Sequence, residues 1–266
     1  MANEKLLNKI YNEDCITGMK KLPDNCIDLC VTSPPYNCGI DYDTHEDNMD
    51  WDNYYAWCRE WLSEIFRVLK PDGRFCLNHY LSLGQSGNRH SPGMDLNYIC
   101  THDLGFKHHA VALWLDATLT KPTAWGSWKD PRECYINSPF EIILILYKDH
   151  WRKDNKGVAD ISGKEFMQAC SGSWKLQPEM NGLTKACFPV SLPMRCIKLL
   201  SYKGDIVLDP FSGSGTTAYA AKVTGRQYIG FELSENYWKI GNRRLEQNGL
   251  DSWLEPEPEG TLEEFV

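Results

Sequence analysis

Near the carboxyl end of the chain, the stretch Asp205-Ile206-Val207-Leu208-Asp209-Pro210-Phe211-Ser212-Gly213-Ser214-Gly215-Thr216-Thr217 restricts the fold more than any other. The apolar run Ile206 to Leu208 predicts a buried strand, which passes through a tight glycine turn into a helix beginning near Thr216. Gly213 and Gly215 lack a Cβ, so the turn can take left-handed torsions and let a ligand approach the main chain, beside the unpaired N–H groups of a helix start. A Walker-type phosphate loop needs a Lys before its Ser/Thr, and Gly215 is followed directly by Thr216. A dinucleotide loop wants a third glycine where Ala218 stands. A turn that serves packing alone is the plainest alternative. Glu232 weighs against it: this carboxylate ends the next predicted strand, where it can accept hydrogen bonds from two ribose hydroxyls. A nucleoside-bearing ligand is favoured.

Periodicity along the chain predicts strands at Leu6 to Asn12, Ile27 to Val31, Arg74 to Asn78, His109 to Leu115, Glu141 to Lys148 and Gln227 to Phe231. Helices are predicted at Ile16 to Leu22, Tyr54 to Leu69 (ended by Pro71-Asp72-Gly73), Leu96 to Leu104, Pro193 to Ser201, Thr216 to Val223 and Ser234 to Glu246. The alternation implies an α/β fold with a mostly parallel sheet. Two long segments without a period, Asp116 to Pro139 and Asp149 to Gly182, read as functional insertions. The acidic stretch Cys38 to Asp52 reads as a loop able to close over the turn before it.

The net charge of −8 at first argues against a nucleic-acid partner. Six acidic residues and no Lys or Arg lie in the last stretch, 251–266, a solvated tail. Basic residues gather instead between 121 and 164, where Lys121, Lys129, Arg132, Arg152 and Lys153 are interleaved with Trp125, Trp128 and Trp151, a mixture that can meet phosphates and stack on bases. The eleven cysteines occur singly with no C-x-x-C pair, and neither a disulfide framework nor a metal site is expected. No apolar run approaches the ~20 residues of a membrane span, and the start lacks a signal-peptide core, so a cytoplasmic protein with no membrane association is expected.

A second constellation, Thr32-Ser33-Pro34-Pro35-Tyr36, follows a predicted strand at the end where α/β sheets bind ligands. Proline has no N–H, so the turn presents carbonyl oxygens without competing donors. A planar substrate bearing an –NH₂ could stack on Tyr36 while its amine donates to Ser33 and the Pro34 carbonyl.

Together these motifs resemble the S-adenosylmethionine-dependent amino-methyltransferases of DNA, specifically the permuted β class in which the catalytic motif precedes the cofactor motif. The resemblance spans roughly Ile10 to Leu245 and includes Gly126-Ser127-Trp128 and the Glu141 strand. It implies a doubly wound, Rossmann-like methyltransferase sheet of seven strands with permuted motif order and an inserted target-recognition region. The catalytic half would cover 1–115, the target-recognition insertions 116–183 around one core strand (141–148), the cofactor half 184–250 and an acidic tail 251–266.

Catalysis would fall to Ser33, Pro34, Pro35 and Tyr36. Cofactor contacts would come from Asp14, Cys15 and Thr32 near the start, and from Phe188 and Pro189 at the methionine end. The remainder would be Asp209, Pro210, Phe211, Gly213, Ser214, Gly215, Thr216 and Thr217 of the turn, with Glu232 and Leu233 at the ribose. DNA contacts would involve Lys121, Trp125, Trp128, Lys129, Arg132, Arg152 and Lys153.

The implied reaction is in-line displacement at the sulfonium methyl by an exocyclic amine of a base flipped out of double-stranded DNA. Methylation of a ring carbon would want a cysteine nucleophile after a proline, and no Pro-Cys dipeptide occurs. Ser33 points to cytosine N4, with adenine N6 as the alternative. An RNA or protein amide methyltransferase and a silent DNA-binding module stay open. A cognate restriction endonuclease, a homodimer and a prokaryotic or phage-encoded source complete what the resemblance implies.

Overall fold

The computed structural model describes residues 4–40, 42, 44, 47–85, 88–116, 126–134, 136, 138, 140–177 and 187–246. In chain order the elements of the first half are β1 (Lys9–Asn12), α1 (Cys15–Met19), β2 (Ile27–Thr32), α2 (Trp51–Val68), β3 (Leu69–Tyr80), the small hairpin β4 (Leu83–Gln85) and β5 (Asn88–His90), α3 (Pro92–Tyr98) and β6 (Lys107–Asp116). The second half comprises β7 (Phe140–Tyr147), α4 (Gly163–Cys170), β8 (Ser173–Leu176), α5 (Ser191–Leu200), β9 (Ile206–Asp209), α6 (Thr216–Val223), β10 (Gln227–Glu232) and α7 (Glu235–Glu246).

Eight strands form the main sheet in the order β1-β10-β9-β2-β3-β7-β6-β8. Every neighbouring pair is parallel except β3/β7 and β6/β7, so β7 alone runs against the rest. Chain order runs one way from β9 to β10 and the other way from β2 to β3, so β2 and β9 flank the point where the direction of winding changes. Ligands of open α/β sheets bind outside the carboxyl ends of strands at such a point.

Side chains of each strand alternate between two cores. On β7, Ile142, Leu144 and Leu146 join the cluster under α1, α2 and α3, whose Met19, Trp61, Leu62 and Leu96 are fully buried. Ile143 and Ile145 face the other cluster, with Leu192, Cys196 and Ile197 of α5 and Ala218, Ala220 and Ala221 of α6. Both faces of the sheet are thus covered, which is why its central strands read as continuous apolar runs.

Four expectations are corrected. Among the described residues the sheet has eight strands rather than seven. The segment 149–182 is not irregular throughout: it contains α4 and β8, and β8 extends the sheet beside β6 with the buried Trp174 opposite Trp114. A capping box starts α4, with Ser162 Oγ accepting from the Glu165 N–H and the Glu165 carboxylate accepting from the Ser162 N–H. Helix α2 begins at Trp51, capped by Asp50, rather than at Tyr54. Finally, Pro71-Asp72-Gly73 lies inside β3, where the register slips from Ile27↔Leu69 to Leu29↔Arg74. The chain bulges there without leaving the sheet, as a proline in a ladder requires.

Among the described residues no helix is long and apolar enough to cross a membrane.

Candidate active site

Strands β2 and β9, far apart in the chain, pair through Leu29↔Val207 and Cys30↔Leu208 at the centre of the sheet. Their ends are tied together by Thr32 Oγ1, which donates to Asp209 Oδ1 at 2.6 Å. Asp209 Oδ1 also accepts the Phe211 N–H at 3.1 Å, so one buried carboxylate shapes the first step of the glycine turn. Phe211 leaves the turn edge-on against Trp61 of α2, ring centroids 5.2 Å apart. Gly215 then caps α6 with φ +76°, a conformation that glycine adopts without strain.

Burial pushes the Asp209 carboxyl up to about 6, against the opposing pull of its Thr32, Thr217 and Phe211 donors. An unfolded aspartate loses its proton near 3.8, so between these values the folded chain holds more protons than the unfolded one. The contribution is therefore fully present below pH ~4 and is lost as pH rises towards and through about 6, by on the order of 3 kcal/mol. Urea unfolding at pH 4 to 8 should show Asp209→Asn lacking this part of the wild-type decline.

The turn is also held from β10. Gly230 lies under it, and a Cβ there would stand 2.3 Å from Ser212 Oγ, whose hydroxyl donates to the Asp209 carbonyl. Gly230→Ala should thus cost about 1–3 kcal/mol by chemical denaturation, the usual cost of overpacking. At the end of β10, Glu232 Oε2 accepts the Gly213 N–H at 2.7 Å and Oε1 accepts the Ser234 N–H at 2.8 Å. Burial raises its pKa while these donors restrain the rise.

These elements enclose a cavity of about 160 Å³. Of the residues expected at a cofactor, Asp14, Cys15, Phe188, Asp209, Pro210, Phe211, Gly213, Ser214, Thr216, Glu232 and Leu233 line it. Thr32, Gly215 and Thr217 do not: the first and last are buried behind the wall, and Gly215 packs towards Ile10 and Gly241. Pro189 is likewise absent from the lining. The Asp14 side chain caps α1, accepting the Thr17 N–H at 2.9 Å. Trp57, Tyr42, Thr44, Phe231 and Tyr237 also line it, contacts to which no motif pointed.

The electrostatics of this lining are one-sided. Glu13, Asp14, Asp209 and Glu232 contribute carboxyl groups, and no Lys or Arg lines the cavity among the described residues. A pyrophosphate would meet repulsion there, whereas a ligand with a ribose diol and a positive centre is matched.

A smaller cavity of about 80 Å³ adjoins it, and Ser33, Cys187 and Phe188 line both. Its remaining walls are Tyr36, Ile40, Asn78, Tyr80, Trp114 and Glu141. Glu141 reaches this edge because β7 is reversed: its first residues stand where the other strands end, with Glu141 paired to Tyr80 on one side and Trp114 on the other.

Tyr36 is buried, its ring 4.2 Å from that of His79, so only part of its surface is left for a stacked ligand. Ser33 Oγ donates to Tyr36 Oη at 2.7 Å, and Tyr36 Oη donates to Glu141 Oε2 at 2.7 Å. Asn78 Nδ2 donates to both Tyr36 Oη (2.7 Å) and Glu141 Oε2 (2.6 Å). Behind them Tyr54 Oη donates to the Pro35 carbonyl at 2.8 Å and lies 3.0 Å from His79 Nε2; burial pushes this imidazole down to about 4, so it is neutral at pH 7. No donor reaches the Pro34 carbonyl among the described residues.

The loop after Tyr36 is folded around Asp47, whose carboxylate accepts the N–H groups of Asn37, Cys38 and Ile40. This anchor brings Tyr42 and Thr44 to the larger cavity.

Residues expected at DNA divide by sheet edge. Lys121 and Trp125 lie outside the described residues. Trp128 is 71% exposed with the Lys129 ammonium 5.4 Å from its ring centre, and Arg132 pairs with Asp130 at 2.6 Å. These belong to the connection from β6 to β7, which leaves and re-enters at the cavity edge. Arg152 and Lys153 follow the far end of β7. There the Lys153 side chain is buried within 3.8 Å of Asp28 and 3.7 Å of Asp205, at the amino ends of β2 and β9, which turns it away from the site.

The family profile described as DNA methylase, of the N6/N4 methyltransferases, matches residues 27–243. The chain belongs to this family. Methyltransferase M.MjaVI of Methanocaldococcus jannaschii, a type II enzyme, is 38% identical over 180 residues, covering 66% of this chain and 91% of its own. The type II methyltransferase M.HpaI of Haemophilus parainfluenzae is 30% identical over 256 residues, or 92% of this chain and 76% of its own. Among solved structures, a DNA modification methylase of Thermus thermophilus, complexed with S-adenosyl-L-methionine, superposes with a TM-score of 0.70 at 23% identity, covering 89% of this chain and 93% of its own. The PvuII DNA methyltransferase, described as cytosine-N4-specific, superposes at 0.69 and 20% identity, covering 91% and 87%. The methylase fold thus places a cation-favouring cavity and a smaller acceptor-lined one side by side.

Proposed function

We propose that this methylase transfers the methyl group of S-adenosyl-L-methionine to the exocyclic N4 amine of a cytosine flipped out of duplex DNA. The methyl donor occupies the larger cavity, where Glu232 receives the ribose hydroxyls and the acidic lining favours the sulfonium. The base enters the smaller one. The observation that carries this reading is the state of Ser33, which stands between the cavities with its only hydrogen committed to Tyr36. Its oxygen is left with lone pairs, an acceptor bordering both cavities, whereas Pro34 lines neither.

An aromatic amine is a weak nucleophile because its lone pair is delocalised into the ring. Acceptors that hold both N–H bonds favour a pyramidal nitrogen and stabilise its growing positive charge. A neutral hydroxyl beside a cavity of about 80 Å³ suits the smaller ring. The base must be unstacked to enter, at a cost of a few kcal/mol, partly recovered against Tyr36, Trp114 and Phe188.

Recognition of the DNA sequence falls to the insertions within 116–183, with Trp128, Lys129 and Arg132, because β6 ends and β7 begins at the edge of the smaller cavity. The Lys153 side chain, buried beside Asp28 and Asp205, takes no part. An endonuclease cutting the same sequence is the partner implied. Incubation with labelled cofactor and unmethylated genomic DNA, followed by digestion to nucleosides, should yield labelled N4-methylcytosine. Label in N6-methyladenine alone would assign the adenine reaction instead.

A further inference from the structure

We infer that Ser33, Tyr36 and Glu141 form a proton wire that carries the proton released by methylation out of the base cavity. The inference rests on the reading that an exocyclic amine donates to Ser33, and it holds for either base. Every hydrogen bond in the chain has one direction. Asn78 is the reason: its NH₂ group can only donate, and it donates to Tyr36 Oη and to Glu141 Oε2 at once. The opposite amide orientation would set its oxygen 2.6 Å from a carboxylate oxygen, acceptor against acceptor. With one lone pair of Tyr36 Oη taken by Asn78 and the other by the Ser33 hydroxyl, the tyrosine's own hydrogen must point to Glu141. Two links of 2.7 Å therefore lead from the oxygen that meets the amine to a carboxylate.

The balance closes without a further reactant. As the N–CH₃ bond forms and the S–CH₃ bond breaks, the amine nitrogen becomes cationic and must lose one proton. That proton passes to Ser33 Oγ, the Ser33 proton passes to Tyr36 Oη, and the Tyr36 proton passes to Glu141 Oε2. The product amine, serine and tyrosine end neutral, and Glu141 ends as a carboxylic acid. Tyr36 never ionises, which suits a phenol whose burial and neighbouring Glu141 push its pKa well above the ordinary value. Asn78 also lines the cavity wall, and its Oδ1 is buried without a partner among the described residues.

Glu141 acts through its neighbours, so its test must separate proton acceptance from positioning. Glu141→Gln keeps the shape and an acceptor for Tyr36 but cannot take a proton; Tyr36→Phe keeps the ring and cuts the wire. Methyl transfer would be followed in single turnovers on unmethylated genomic DNA, in H₂O and in D₂O, with cofactor affinity measured by calorimetry. Each variant should bind S-adenosyl-L-methionine as the wild type does and transfer about a hundredfold more slowly, the lower end of general-base effects. The double variant should be no slower than either single one, and the wild-type solvent isotope effect should vanish in all three.

Glu141→Gln within about threefold of wild type, or losses that multiply in the double variant, would overturn the wire in favour of a packing role. The methylated base in the wild-type product reads the cytosine assignment independently, since the rate ratios are taken on the same DNA whichever base carries the label.

Discussion

Glu232→Gln is expected to raise the dissociation constant for S-adenosyl-L-methionine by about 10²- to 10³-fold, measured by titration calorimetry. Both carboxylate oxygens already accept a main-chain N–H, from Gly213 at 2.7 Å and from Ser234 at 2.8 Å. In the variant one of these positions holds an amide nitrogen, so a donor faces a donor and the glycine turn loses its tie to β10. The remaining lone pairs are those a ribose diol would engage, and hydrogen bonds to a charged group contribute about 1.5–3 kcal/mol each. Losing two contacts near the lower end of that range, about 3–4 kcal/mol together, corresponds to the stated loss. The removed charge also weakens the acidic lining shared with Glu13, Asp14 and Asp209. An affinity within a few fold of wild type would remove Glu232 from the site.

Ser33→Ala should leave that affinity within a few fold and slow single-turnover methyl transfer by about 10²- to 10³-fold, the typical loss when one preorganised electrostatic partner of a transition state is deleted. The serine oxygen is the one group that both borders the cofactor cavity and begins the chain to Glu141. Alanine removes the acceptor and leaves Tyr36 with Asn78 as its remaining donor. The separation of rate from affinity is the diagnostic result. A parallel fall in cofactor binding would mean that the substitution has moved the turn at Pro34, and measuring both quantities on one preparation separates the two.

Much of this site is legible in residue order. Ser33-Pro34-Pro35-Tyr36 and the Asp209 to Thr217 turn each follow an apolar run that can only be a buried strand, and each carries residues that no packing role requires. The cap of α4 is written as Ser162-Gly163-Lys164-Glu165, but it sits inside a polar segment, and α4 and β8 are too short for their periods to stand out from it. Asn78 and Glu141 carry no local signal of function. Asn78 looks like one polar residue near the end of a strand, and Glu141 like the charged border of an apolar one. A lone antiparallel strand opening on an acidic residue is the pattern that could have flagged it.

Local chemistry, then, points to residues suited to a nucleoside and to an amine, because turns and strand ends depend on neighbours a few positions away. Pairing is another matter. That β2 meets β9 across most of the chain, that reversed β7 delivers Glu141 to the smaller cavity, and that Lys153 is folded away against Asp28 and Asp205 are outcomes of sheet order. Sheet order is set by which faces bury best against α2 and α5, a property of the assembled layers that no stretch of sequence contains.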